Sequence, residues 1–161
     1  MTPAEKTARS AEKKQMKSAA RLYAVQALFQ MEASGQTVEA VTREFETHRF
    51  GATYDEAEFA EGDVDLFRAL VDQAVNLQAK IDQMTDRALV AKWPIERIDP
   101  VIRALFRAGG AELLGAAATP PKVVITEYVD VAKAFFPGGK EPKFVNAVLD
   151  HMAHEALPGG F

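Results

Sequence analysis

Lys13, Lys17 and Arg21 recur at i, i+4 and i+8, with Lys14 one position round, so a helix through them carries four cations on one side. Four like charges cannot neutralise one another, and an external anion is the natural partner. A second basic pair, Lys140 and Lys143, stands on the turn Pro137-Gly138-Gly139 and the first turn after it, beside Phe144. Cations attract phosphate and an aromatic ring can stack on an unpaired base, which suits single-stranded nucleic acid. Each lysine that neutralises a phosphate on a single strand adds about −0.7 to the salt slope of binding. The same residues have plainer uses. The N-terminal charges also describe a solvated, frayed tail, and Phe144 lies at the edge of an apolar stripe and also suits the core.

Other chemistries are poorly supported. His151 and His154 lie at i, i+3 near Asp150 and Glu155, but there is no HExxH and no third ligand follows, so no metal site is expected. Gly139-Lys140 lacks the earlier glycine and the following Ser/Thr of a phosphate-binding loop. GxSxG is missing and so is every cysteine, which leaves no thiol nucleophile, disulfide or thiolate metal site and suits a reducing cytoplasm. No enzyme and no cofactor are expected. The charged first 21 residues contain no apolar signal region, and no apolar run approaches the roughly 20 residues that span a bilayer. A cytoplasmic protein with no membrane contact is the simplest expectation.

The net charge of −4 conceals a separation along the chain. Residues 1–21 carry six basic residues against Glu5 and Glu12, a net of +4, whereas residues 22–72 carry three arginines against eleven carboxylates, a net of −8. A basic segment on an acidic protein is a local polyanion contact that the whole-protein pI hides.

Every periodic segment reads as helix and none alternates as a strand. The spacing predicts a basic tail over 1–12 and a first helix from Lys13 through Leu22, Val25 and Phe29 to Gly35, with Phe29 in the core. A second helix covers Val38 to His48, an acidic connector Gly51 to Gly62, and a long third helix Val64 to Ile81 with Met84 to Val90 as its continuation. Asp99-Pro100 is an N-cap and N1 pair for a helix through Leu113, interrupted by Gly109-Gly110, which implies a bend or a close neighbour. Val124, Tyr128, Val131 and Phe135 mark the next helix, and Val145, Val148, Leu149 and Met152 the last. The expected fold is all-α, six to seven helices in two packed sub-bundles over residues 13–158, meeting near Trp93.

Several blocks resemble the NusB family of bacterial transcription antitermination factors. Pro121-Lys122-Val123-Val124-Ile125 through Val131-Ala132-Lys133 is similar to PxKVAINEAVELAK, and Lys143-Phe144-Val145-Asn146-Ala147-Val148-Leu149-Asp150 to KFVNGVLD. Arg21 to Phe29 resembles ARxxAVQALY, and Leu105 to Leu113, with Arg107 and Glu112, resembles LRLALYEL. The resemblance implies a protein that binds boxA RNA of nascent ribosomal transcripts together with NusE, a ribosomal small-subunit protein, in an antitermination complex on RNA polymerase. It places RNA contacts at Lys13, Lys14, Lys17 and Arg21 and at Lys140, Lys143 and Phe144, and leaves the partner-binding face unassigned. The alternative is a helical protein adaptor or homodimer with little RNA affinity.

Overall fold

The computed structural model describes residues 1–50, 62–92 and 98–159. Seven α-helices follow in order: α1 (Pro3–Ser34), α2 (Val38–His48), α3 (Val64–Asn76), α4 (Gln78–Lys92), α5 (Pro100–Ala111), α6 (Pro121–Phe135) and α7 (Glu141–Ala156), with a π-helical turn at Glu112–Ala116 after α5. Local chemistry sets most of the ends. The Thr37, Asp63 and Asp99 side chains cap α2, α3 and α5 by accepting the N–H of Ala40, Leu66 and Val101. α1 stops at Gly35, whose φ of 73° lets its N–H turn back to the Met31 carbonyl.

Two helix boundaries differ from the sequence expectation. Residues 3–12, expected as a tail, continue α1, because Thr2 and Glu5 form a capping box: Thr2 Oγ1 accepts the Glu5 N–H at 3.1 Å and Glu5 Oε2 accepts the Thr2 N–H at 3.2 Å. The long third helix is two. The chain breaks at Leu77 (φ −109°, ψ 18°), so α3 can pack on α1 and α5 while α4 turns Ile81 and Met84 toward α5 and α7. Trp93 and the connector over 51–61 lie outside the described residues.

α5 is the axis of the fold. It packs against α1 and α3 on one side and α4, α6 and α7 on the other, and Ile102, Ala104, Leu105, Phe106 and Ala108 through Ala111 are all buried. A helix apolar nearly all round belongs inside a domain. The two helical groups therefore share α5 and one continuous core. The glycine pair permits the closest approach. A Cβ on Gly110 would sit 2.6 Å from Ile81 Cγ2 and 3.3 Å from Met152 Cε, and one on Gly109 would sit 3.2 Å from Leu149 Cδ2. Of the two explanations left open, a close neighbour is the one realised. On the other side, Tyr23 meets Phe50 edge-on at 5.2 Å and Phe50 and Phe45 lie against Phe67, which locks α2 between α1 and α3.

One charged network is buried. Arg21 Nε and Nη2 donate to Glu112 Oε1 and Oε2 at 2.9 and 2.8 Å, Tyr128 Oη donates to Glu112 Oε1 at 3.0 Å, and Arg21 Nη1 lies 3.5 Å from Glu127 Oε1. The side chains of Arg21 and Glu112 are 4% and 0% exposed. Burial opposes the guanidinium charge, but the Glu112 hydrogen bonds and the negative charges of Glu112 and Glu127 outweigh it and raise its pKa above the ordinary value. Burial, with Glu112 beside it, pushes the Tyr128 hydroxyl well above its usual range, so it stays a donor. Arg21 is thus an interior residue. Its place in the basic stripe is corrected, because α1 turns inward between Lys17, which is exposed, and Ala20, which is buried.

Two stability experiments follow from this packing. Arg21→Met leaves the Glu112 carboxylate buried without its cation and is expected to lower stability by roughly 3–5 kcal/mol in urea unfolding, with Arg21→Met/Glu112→Gln losing less than the single change. A loss under about 1 kcal/mol for Arg21→Met would show that water reaches the pair. Gly110→Ala is expected to destabilise by about 1–3 kcal/mol despite the better helix propensity of alanine, and Gly109→Ala by less. A stabilised Gly110→Ala protein would refute the close-packing explanation of the glycine pair.

Candidate nucleic-acid interface

Of the three exposed lysines in the α1 stripe, Lys13 and Lys17 lie one above the other and Lys14 sits beside them. None of the three makes an ion pair among the described residues. Lys17 also borders a cavity of about 420 Å³ whose other walls include Asp65, Leu66, Ala69 and the chain from Ala116 to Thr119. Ser18, the next residue, donates to Glu127 Oε2 at 2.9 Å and fastens this turn of α1 to α6. The stripe is therefore held by a rigid base: the hydroxyl at Ser18 and the buried guanidinium at Arg21 fix the helix rotation, and the lysines one and two turns back point outward.

The second basic group is built differently. α6 ends at Phe135, Gly138 turns the chain at φ 73°, and Lys140 precedes α7, with Pro142 in its first turn. Lys140 and Lys143 are exposed. Phe144 is half-buried, its ring edge-on to the buried Phe106 at 5.9 Å and 75°. Phe144 is thus anchored on α5 and only partly buried. Glu141 stands between the lysines with Oε2 buried and without a hydrogen-bond partner among the described residues, which tempers the positive charge of this group.

The two groups come from different parts of the chain: Lys17 borders the cavity walled by the residues that lead into α6, and Lys140 stands in the turn that follows α6. Phe29, expected in the core, is 37% exposed. It lines an open groove of about 460 Å³ with Val25, Gln26, Arg49, Val101 and Phe135, and Gln26 Oε1 is buried there without a partner among the described residues. The buried face of α1 runs through Ala24, Val25 and Leu28, which puts Phe29 at its rim. Asn146 is also exposed rather than tied into the core.

Among the described residues no group of three or more His, Cys, Asp and Glu side chains is placed to hold a metal, and no helix is long and apolar enough to cross a membrane. The His154 ring is engaged with the Asp150 carbonyl, its Nδ1 lying 2.8 Å from the oxygen.

Comparison with known proteins agrees with this architecture. The chain is 48% identical over 161 residues to the transcription antitermination protein NusB of Maricaulis maris (strain MCS10), covering all of both chains. It is 45% identical over 139 residues to the NusB of Agrobacterium fabrum (strain C58), covering 86% of this chain and 84% of that one. Among solved structures it superposes on antitermination factors NusB and NusE in complex with dsRNA with a TM-score of 0.69, at 26% identity over 86% of this chain and 96% of the other. Thermotoga maritima NusB gives a TM-score of 0.67 at 30% identity, over 88% and 93% of the two chains. The sequence model of the NusB family matches residues 18–154, from the lysine stripe's inner end to the last turn of α7, and with these relatives it shows that the chain belongs to the NusB family.

Proposed function

We propose that the protein is an RNA-binding transcription antitermination factor that acts with NusE on boxA-type RNA of nascent ribosomal transcripts, in the cytoplasmic antitermination complex on RNA polymerase. The observation that carries this reading is the run of exposed lysines on α1, unpaired among the described residues, on a chain that is otherwise acidic. Lys13, Lys14 and Lys17 supply phosphate attraction, and the Ser18 and Arg21 anchors keep them in place. Lys140 and Lys143 supply a second point of attraction, with the Phe144 ring beside them. Lysines neutralise phosphate without the planar fork of arginine, so these contacts supply affinity and register more than sequence discrimination. The factor has no catalytic step to perform in this reading; its activity is assembly. NusE enters as the second RNA-binding component, consistent with the solved NusB and NusE complex that the fold matches.

The reading is tested by binding a boxA-like single-stranded RNA and a scrambled control, with and without NusE, between 50 and 200 mM salt. Tighter binding to boxA than to the scrambled RNA, strengthened by NusE, is expected. Lys13→Ala/Lys17→Ala is expected to weaken binding roughly tenfold at low salt and to reduce the magnitude of the salt slope by about 1.4, two contacts at 0.7 each. Equal, negligible binding to both RNAs in the presence of NusE would refute the reading and favour a protein adaptor.

A further inference from the structure

The first half of α1 is an arm. All residues from Met1 to Gln15 are exposed, and they precede the region matched by the family, which begins at residue 18. Among the described residues the first tertiary hydrogen bond along α1 is at Met16, whose carbonyl accepts the Asp63 N–H at 3.0 Å. Pro3 to Gln15 therefore extend for about 20 Å as an exposed helix that no described element covers. The helical state is written locally, by the Thr2 and Glu5 capping box and the proline at the first position.

The arm carries a longer basic line than the stripe at its base. Lys6, Arg9, Lys13 and Lys17 recur at i, i+3, i+7 and i+11, which places four cations along one side over about 16 Å. Glu5 and Glu12 lie off this line. Arg9 has Glu5 four residues before it and Glu12 three after, at helix-pair spacing but not in ion-pair contact among the described residues; the rest of the line does little for the helix. Lys6 and Arg9 stand near the end where the helix dipole favours anions, and Lys13 and Lys17 repel one another at i, i+4. Neither Lys6 nor Arg9 has an ion-pair partner among the described residues. The arm's apolar residues are Met1 at its tip, Pro3, Ala4, Ala8 and Ala11, a small and scattered surface for the core of a protein interface or for insertion at a lipid surface. What remains is a line of cations that complements a chain of phosphates. The deep, narrow major groove of A-form RNA does not admit a helix, which favours a single strand.

We infer that the arm holds the phosphate backbone of single-stranded RNA flanking the segment bound by the body, extending the RNA footprint beyond the family's common region by the two contacts of Lys6 and Arg9. The inference rests on the RNA-binding reading above. The contact is independent of sequence, since exposed lysine and arginine on a lone helix meet phosphates without a wall to fix them against base edges. It is reached from one end of the RNA only, because the arm leaves the body in one direction.

The test uses the full chain with NusE and three labelled RNAs: a boxA-like core, and the same core extended by about eight uridines at its 5′ or its 3′ end. An extension at one end is expected to tighten wild-type binding roughly 3- to 10-fold, with a salt slope steeper by about 1.4 than that of the core. Lys6→Ala/Arg9→Ala, on exposed positions, should bind the core RNA as wild type does and lose the gain from the extension. No gain in the wild type, or an equal gain in the variant, would overturn the arm assignment while core binding leaves the RNA reading intact. Failure of every RNA to bind would remove both. A variant that keeps the gain but loses affinity for NusE would make the arm a protein contact instead.

Discussion

The buried pair of Arg21 and Glu112 joins three parts of the chain that the core alone would leave free to slide. Arg21 comes from α1, Glu112 from the π-helical turn after α5, and Tyr128 and Glu127 from α6. Apolar contacts are non-directional and tolerate a small rotation of one helix on another, whereas a bidentate guanidinium and carboxylate do not. With both side chains out of water, any rotation that breaks the pair exposes the full desolvation penalty of each charge. This constraint sets the rotation of α1 and thereby the direction in which Lys17, one turn earlier, leaves the surface. The π turn belongs to the same device. It follows α5 directly, its Glu112 side chain is fully buried, and Gly115 with φ of 96° releases the chain toward α6.

Around that pair the glycines of α5 solve a problem of space. Five helices surround α5, and the ring of Tyr128 and the branched side chain of Ile81 both reach its backbone at Gly109 and Gly110. Two glycines weaken a helix in isolation, yet here Gly110 lets Ile81 approach closer than a Cβ would allow, and Gly109 makes room for a tight contact with Leu149. The outside of the bundle is tied by shared ions. Arg107 binds Asp82 through two hydrogen bonds and Glu32 through a third, while Arg103 binds Glu32, so the end of α1, the first half of α5 and the start of α4 meet in one network. The Arg103 hydrogen bond, with both arginine charges, lowers the pKa of Glu32 and keeps it ionised.

The electrostatic design is a separation of sign. The acidic charge lies on the stretch from residue 22 to 72, and the cations collect on the part of α1 that leaves the body. A net negative body keeps polyanions from adhering at random, and a basic projection gathers them where the fold can hold them in register. The second basic group, in the turn beyond α6, is weaker by one carboxylate, that of Glu141.

Much of this was legible in the residues themselves. Helix periodicity, the cap at Asp99 and the breakers at Gly35, Gly138 and Pro158 are local signals, and they located the helices because helix ends depend on hydrogen bonds within a few residues. The exposed lysines were legible for the same reason, since lysine is rarely buried. The capping box of Thr2 and Glu5 was also there to be read and extended α1 over what composition suggested was a tail. The fate of Arg21 was not. Its i, i+4 spacing from Lys17 is the same whether it faces water or Glu112, and the partner lies 91 residues away. Likewise only packing decided that Gly110 admits Ile81, that Phe29 stands at a groove while Leu28 fills the core, and that Phe144 rests on Phe106. The sequence by itself determined which segments are helices and where the charges lie along them; the tertiary structure decided which side of each helix faces inward, because that depends on contacts between residues far apart in the chain, and local periodicity carries no information about them.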